Sequence, residues 1–263
     1  MTQTQLDIDT RDGGIRIITL NGPETRNSIS RLQYDTLRDA VVEAGADPTV
    51  RAIVLTGAGG FFSSGGNVKV LQESREQSLS QISRNTDALN AMILALRSCP
   101  TPIVAAVEGG AAGLGLALAL SCDMLVATRV AKFTAAYVKI GLTPDGGTTH
   151  FLREALPRQL VSEMCMLGRP VDAERLYHAG AVNVLCDDGG ALEAALELAG
   201  ALARGASEAI GVIKSELNAC DRNDLATQLD LEARGINRAR YGDEAGEGLR
   251  AFLEKRAPDF RQG

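Results

Sequence analysis

The residues from Thr101 to Asp123, TPIVAAVEGGAAGLGLALALSCD, constrain the fold more than any other part of the chain. Their apolar run, Ile103 to Val107, predicts a buried strand, the segment Gly109 to Gly113 predicts a turn, and a helix should begin near Gly115. The first peptide N–H groups of a helix lack partners within it, so they can hold an anion or a developing oxyanion. Alternatively, the glycines only let the helix pack closely on the strand. The sequence leaves both interpretations open.

Strands and helices alternate up to about residue 187, and only helices follow. This pattern predicts an α/β fold whose crossover helices cover a sheet, completed by a helical C-terminal region. The predicted strands are residues 14–20, 52–56, 103–107, 124–127, 132–137 and 181–186. The predicted helices are residues 30–45, 80–97, 151–156, 158–167, 172–179, 191–204, 207–219, 224–240 and 244–255.

Charge and composition exclude several classes of function. The net charge of −6 provides no basic face for the phosphate backbone, so we expect no nucleic-acid partner. Five dispersed cysteines without a C-x-x-C motif, and two histidines, argue against a disulfide framework and a zinc site. The polar N-terminus lacks a secretory hydrophobic region, and the run from Gly109 to Cys122 is too short to span a bilayer. We therefore expect a soluble cytoplasmic protein with no membrane partner and no metal or redox cofactor.

A second glycine-rich turn, residues 60–67, also follows a buried strand. Two peptide N–H donors from separate turns could hold one carbonyl oxygen and stabilise an enolate-like anion. Neither turn has the spacing of a dinucleotide fingerprint, and the chain contains neither a P-loop nor a G-x-S-x-G motif.

Four segments resemble motifs of the crotonase (enoyl-CoA hydratase/isomerase) superfamily, in the expected order and over nearly the whole chain. Residues 21–28, NGPETRNS, resemble its N-x-P-x-x-x-N-A segment, and residues 62–67, FSSGGN, resemble its F-C-A-G-G-D turn. Residues 102–123 resemble its P-x-I-A-A-V-x-G-x-A-x-G-x-G…C-D block, and residues 251–256, AFLEKR, resemble its C-terminal motif.

The resemblance implies an acyl-CoA substrate, with coenzyme A present only as part of that substrate. It implies a spiral of ββα units over residues 1–187 as the acyl-CoA-binding catalytic core. Residues 188–263 would form a helical oligomerisation region, giving a homotrimer or a dimer of trimers. It also implies an oxyanion hole made by the backbone N–H groups of Ser64 and Leu114, which lie in the two turns identified above.

The chain departs from the family pattern where hydratases carry two glutamates, because these positions hold Ala117 and Tyr137. Alanine has no exchangeable side-chain proton and the pKa of tyrosine is about 10, so hydration by a glutamate pair is not expected. Related isomerases carry one carboxylate in a P-[DE] loop, which corresponds here to Asp145. One base and one oxyanion hole suffice to move a proton between two carbons. Asp145 could instead only cap the following helix through its carboxylate.

The resemblance places further residues near the substrate. The interpretation of each remains open: Tyr137 could be a core aromatic residue, and the cations could be ordinary surface charges. Lys255 is expected to act from a neighbouring subunit. The predicted substrate-binding residues are Arg26, Gly65, Gly113, Tyr137, Gly146, Phe252 and Lys255.

Three functional hypotheses follow. The first is an enoyl-CoA isomerase that uses Asp145 as its sole acid–base. The second keeps the fold but lets Asp145 activate water or attack as a nucleophile, giving a hydratase, or a ring-opening hydrolase or dehalogenase of a cyclic acyl-CoA. The third is a non-catalytic RNA-binding or scaffold member of the family, which the net charge of −6 opposes.

Overall fold

Nine strands form two sheets within residues 3–261, the part of the chain that the computed structural model describes. The six-stranded sheet has the order β1–β2–β3–β4–β6–β9, and only the β1–β2 pair is antiparallel. The three-stranded sheet has the order β5–β7–β8. The strands are β1 (Gln5–Arg11), β2 (Ile15–Asn21), β3 (Ala52–Gly57), β4 (Ile103–Val107), β5 (Gly110–Ala112), β6 (Met124–Thr128), β7 (Lys132–Thr134), β8 (Val171–Asp172) and β9 (Val184–Cys186).

Helices cover both faces of the large sheet. They are α1 (Arg31–Ala46), α2 (Val68–Ser74), α3 (Leu79–Ser98), α4 (Leu114–Ser121), α5 (Thr148–Ala155), α6 (Arg158–Leu167), α7 (Ala173–His178), α8 (Ala191–Ala203), α9 (Ser207–Cys220), α10 (Leu225–Ala239) and α11 (Asp243–Glu254). Two 3-10 helices, Pro23–Thr25 and Ala136–Ile140, complete the set. The predicted α/β architecture is confirmed. Within the described residues, no helix is long and apolar enough to cross a membrane.

The central strands are buried on both faces, which explains their continuous apolar sequences. All five residues of β4 are buried, and β4 pairs in parallel with β3, Ile53 opposite Ile103, and with β6, Val104 opposite Met124. One face packs against α1, α3 and α4 in the larger core cluster. The sheet therefore fixes where β3 and β4 end and where the glycine-rich turns begin.

The opposite face of the sheet packs against α8. Four alanines spaced four residues apart form its buried stripe, and their small side chains let the helix lie close to β3 and β4. The predicted boundary at residues 187/188 marks the end of the strands, but α8 belongs to the same core as the sheet. The buried alanines are Ala191, Ala195, Ala199 and Ala203.

The structure also corrects element assignments near the turns. The predicted strand 132–137 ends at Thr134, and Tyr137 lies in the following 3-10 helix. The predicted turn 109–113 contains β5, whose pairing with β7 is set by tertiary contacts and not by strand propensity. Helix α2 follows the second turn directly, where Asn67 caps it by accepting hydrogen bonds from the N–H groups of Lys69 and Val70.

Candidate active site

The two glycine-rich turns lie side by side. The Ala112 N–H donates to the Ser63 carbonyl at 2.9 Å, which joins the turn after β3 to the turn after β4. A Cβ atom built on Gly65 would lie 2.5 Å from the Ala112 oxygen and 2.7 Å from the Leu114 nitrogen. Gly65 also has a φ of +87°. Only glycine fits at this position, and it lets the two turns pack closely against each other.

The free N–H donors are not the pair that the resemblance implied. The Ser64 N–H donates to the Arg26 carbonyl at 2.8 Å and is therefore already occupied. Leu114 is the first residue of α4, and neither its N–H nor that of Gly66 has an acceptor within residues 3–261. We therefore expect Gly66, and not Ser64, to supply the second N–H donor. The expectation that Leu114 supplies the other donor is unchanged.

The loop that carries Asp145 lies over the start of α4. A Cβ atom built on Gly146 would lie 2.6 Å from Cδ1 of Leu114 and 3.4 Å from Cβ of Ala117. Gly146 has a φ of +57°, a left-handed conformation that suits glycine. The Asp145 loop therefore adjoins Ala117, one of the two positions at which hydratases carry glutamate.

The other such position, Tyr137, contacts Asp145 directly. Its hydroxyl donates to Oδ1 of Asp145 at 2.8 Å and lies 3.2 Å from Oγ1 of Thr148. The Thr148 hydroxyl donates to the Asp145 backbone carbonyl at 2.8 Å. The alternative in which the Asp145 carboxylate caps α5 is not observed, because that helix has no side-chain cap and the carboxylate is turned toward Tyr137.

Burial raises the pKa of Asp145 above its ordinary value, while the hydrogen bond from Tyr137 partly opposes this shift. Burial, followed by the Asp145 charge, raises the pKa of Tyr137, so this phenol stays protonated. The same two causes raise the pKa of Tyr34 to about 12. The site thus holds one carboxyl group whose pKa is raised by burial and two neutral phenols.

A cavity of about 110 Å³ opens between α1, α2 and α3, and Asp145 lies on its wall. Among the described residues that line it, Asp145 is the only carboxylate. Gly66 also lines this cavity. The other lining residues are Ile29, Ser30, Arg31, Tyr34, Asn67, Val70, Leu71, Ser74, Ile82, Asn85, Thr86 and Leu89.

Sequence reasoning did not identify Tyr34 and Gly66 as site residues. Tyr34 is partly buried on α1 and approaches Asp145 only through the tertiary fold. The residues around Tyr34 in the sequence therefore do not indicate that it lies at the site. Gly66 could have been identified from its position at the end of the glycine pair that precedes α2.

The remaining predicted substrate-binding residues are dispersed. The Arg26 guanidinium lies 5.3 Å from the centroid of the Phe61 ring, in the turn after β3, and the Gly113 N–H donates to the Thr134 carbonyl at 2.9 Å. Phe252 and Lys255, at the end of α11, are exposed and do not line the cavity of their own chain. Their predicted role therefore requires a second subunit.

The model of the family described as "Enoyl-CoA hydratase/isomerase" matches residues 10–263. The chain belongs to this family. It is 34% identical to the 1,2-epoxyphenylacetyl-CoA isomerase of Escherichia coli K12, over 94% of this chain and 95% of that protein. It is 30% identical to the 2,3-dehydroadipyl-CoA hydratase of the same organism, over 97% and 98% of the two chains.

Solved structures of the family share the fold. A crystal structure of an enoyl-CoA hydratase from Polaromonas has a TM-score of 0.94 and 39% identity, covering 97% of this chain and 99% of that one. The relatives of this chain include proteins named as isomerases and as hydratases, so the family alone does not distinguish these two reactions.

The contact between the turns yields a prediction for Gly65→Ala. The added methyl group must displace Ala112 or Leu114, so we expect kcat/KM to fall at least about tenfold through loss of a placed N–H donor. Gly60→Ala is the matched control, because Gly60 has a φ of +77° but nothing within 4 Å of its Cβ position. Steady-state kinetics on both variants check this. Equal losses of activity would show that backbone strain, and not the contact with Leu114, is responsible.

Proposed function

We propose that this protein is an enoyl-CoA isomerase in which Asp145 is the sole acid–base. The observation that carries the proposal is the position of Asp145 as the one carboxylate among the described cavity-lining residues. The two hydratase glutamate positions, Ala117 and Tyr137, adjoin this loop without supplying a second carboxylate. A second base that could activate water is therefore lacking among the described cavity-lining side chains.

The chemistry requires little more than one base and a stabilised anion. Asp145 removes the α-proton of a 3-enoyl thioester, and the electron pair of the C–H bond delocalises onto the thioester oxygen as a dienolate. The N–H groups of Leu114 and Gly66 would stabilise that oxygen. Asp145 then returns the proton to the γ-carbon, and the product is the 2-enoyl thioester.

Two substrates test the proposal: trans-3-enoyl-CoA and crotonyl-CoA, incubated separately with purified protein and followed by absorbance and mass spectrometry. We expect the 3-enoyl substrate to become the 2-enoyl product with no change in mass. Addition of one water to either substrate would show that the protein activates water and would overturn the isomerase assignment.

A second candidate is isomerisation or ring opening of a cyclic acyl-CoA. It is favoured by the 34% identity to a protein named 1,2-epoxyphenylacetyl-CoA isomerase. In this reaction Asp145 would act on a ring substituent instead of a linear chain. Product analysis with linear and ring-containing enoyl-CoA thioesters separates the two candidates.

The C-terminal helices predict an oligomer. Several large apolar side chains on α10 and α11 are exposed in the single chain, among them Leu229, Leu249, Phe252 and Leu253. We expect light scattering to give about 83 kDa, three times the 27.7 kDa of one chain, or twice that mass for a dimer of trimers. Leu249→Glu should lower the mass, and Leu94→Glu on α3 serves as a matched exposed control. A monomeric wild-type protein would contradict the predicted trimer.

A further inference from the structure

Tyr137 contacts Asp145 in a way that distinguishes the two carboxylate oxygens. The phenol donates to Oδ1 at 2.8 Å, whereas no other residue within residues 3–261 donates a hydrogen bond to Oδ2. The Tyr137 side chain is buried, with 9% of the residue exposed, so its ring cannot swing freely into solvent. The two oxygens of one carboxylate therefore lie in different environments.

We propose that Tyr137 is a positioning residue that holds Oδ1 of Asp145 and leaves Oδ2 to carry the proton between the two substrate carbons. This inference rests on the proposed isomerase function. It replaces the expectation that Tyr137 binds the substrate, because its hydroxyl hydrogen is directed to Asp145.

The surrounding hydrogen bonds fix this arrangement. The Thr148 hydroxyl lies 3.2 Å from the phenol oxygen and donates to the Asp145 backbone carbonyl. Two hydrogen bonds, from Tyr137 and from Thr148, therefore link Asp145 to the 3-10 helix and to the start of α5. The bond to Tyr137 fixes the orientation of the carboxylate, so one oxygen stays engaged while the other should face the substrate in every turnover.

The proton balance is simple in this scheme. The α C–H bond breaks, its proton moves to Oδ2, and its electrons enter the dienolate. Oδ2–H then breaks, its proton forms the γ C–H bond, and the dienolate electrons return to make the new double bond. Tyr137 keeps its own proton throughout and donates to Oδ1 in both protonation states of Asp145.

Removing the phenol should change the pH dependence of the reaction. A hydrogen bond to the ionised carboxylate lowers its pKa, whereas burial raises it. Without Tyr137 the larger of the two downward effects is lost, and burial is opposed only by the backbone N–H of Asp145. The acid limb of kcat/KM, below which Asp145 is protonated and inactive as a base, should therefore move to higher pH.

The test compares pH profiles of the wild type, Tyr137→Phe and Tyr177→Phe. We expect Tyr137→Phe to raise the acid limb by about one pH unit and to lower the plateau kcat with little change in KM. Tyr177, 45% exposed on α7, loses the same hydroxyl away from the cavity and should leave the profile unchanged. An unshifted or lowered acid limb in Tyr137→Phe would overturn the proposal.

A titration that does not depend on activity separates the two proposals. The carboxyl signal of Asp145 in ¹³C-aspartate-labelled protein is assigned by its loss in Asp145→Asn. Its midpoint should rise in Tyr137→Phe, and an unchanged midpoint refutes the role of Tyr137 even if isomerisation is observed. If the wild type does not isomerise 3-enoyl-CoA, the isomerase proposal fails, while the titration still reports on the hydrogen bond.

A third variant covers the case in which Tyr137→Phe does not fold. Site-specific 3-fluorotyrosine at position 137 keeps the buried ring and makes the phenol a stronger donor. It should lower the Asp145 midpoint and the acid limb together. Movement in the opposite direction would contradict the proposal.

Discussion

The substitution Asp145→Asn should lower kcat for isomerisation by about three orders of magnitude, with little change in KM. The asparagine side chain would keep the size of the aspartate and an oxygen that accepts the Tyr137 hydrogen bond, but it cannot take up the substrate proton. The rate of 2-enoyl-CoA formation measures the effect. The free energy of unfolding at neutral pH should stay unchanged or rise, because burial disfavours the ionised carboxylate.

Asp188→Asn is the matched control for this experiment. Asp188 is an exposed aspartate after β9, outside the described cavity lining, and its loss of charge should leave kcat unchanged. Retention of more than a tenth of the wild-type kcat by Asp145→Asn would show that another group moves the proton.

The substitution Lys214→Met should lower the free energy of unfolding by about 3–5 kcal/mol. Lys214 on α9 is 6% exposed, and its Nζ lies 2.7 Å from Oδ2 of Asp123. The ammonium group also donates to the carbonyls of Leu96 and Thr101. Without the lysine, a partly buried carboxylate and two carbonyl groups lose a charged partner, so α9 loses its anchor to the sheet.

Urea denaturation at one fixed protein concentration measures this loss, because assembly would make apparent stability depend on concentration. Lys139→Met, which replaces an exposed lysine after β7, should change the free energy by less than about 0.5 kcal/mol. The double variant Lys214→Met with Asp123→Asn should recover part of the loss by removing the unpaired charge. A loss below about 1 kcal/mol in the single variant would contradict the anchoring role.

The central strands could be predicted well because their signal is local. The segments of β2, β3, β4 and β6 are apolar runs bounded by turn residues. A strand that is buried on both faces needs apolar residues at successive positions, which produces this pattern. The sequence does not predict the first strand, β1, because most of Gln5–Arg11 is exposed and its polar residues resemble a loop. It exists because it pairs with β2, which is a non-local contact.

The candidate site can be predicted only in part, for the same physical reason. Motifs are enough to name Asp145 and Leu114 as candidate site residues, since each lies within a short segment of distinctive composition. The hydrogen bond between Tyr137 and Asp145, and the approach of Tyr34 from α1, depend on how separate elements pack. The hydrogen bond from the Ser64 N–H to the Arg26 backbone carbonyl likewise depends on how two distant segments fold together.

The most direct test of the central claim is isomerisation of trans-3-enoyl-CoA in ¹⁸O-labelled water, with Asp145→Asn run in parallel. We expect a 2-enoyl-CoA product of unchanged mass that contains no ¹⁸O, formed by the wild type and not by the variant. Incorporation of labelled water into the initial product, or equal rates for the two proteins, would contradict the claim that Asp145 moves a proton without activating water.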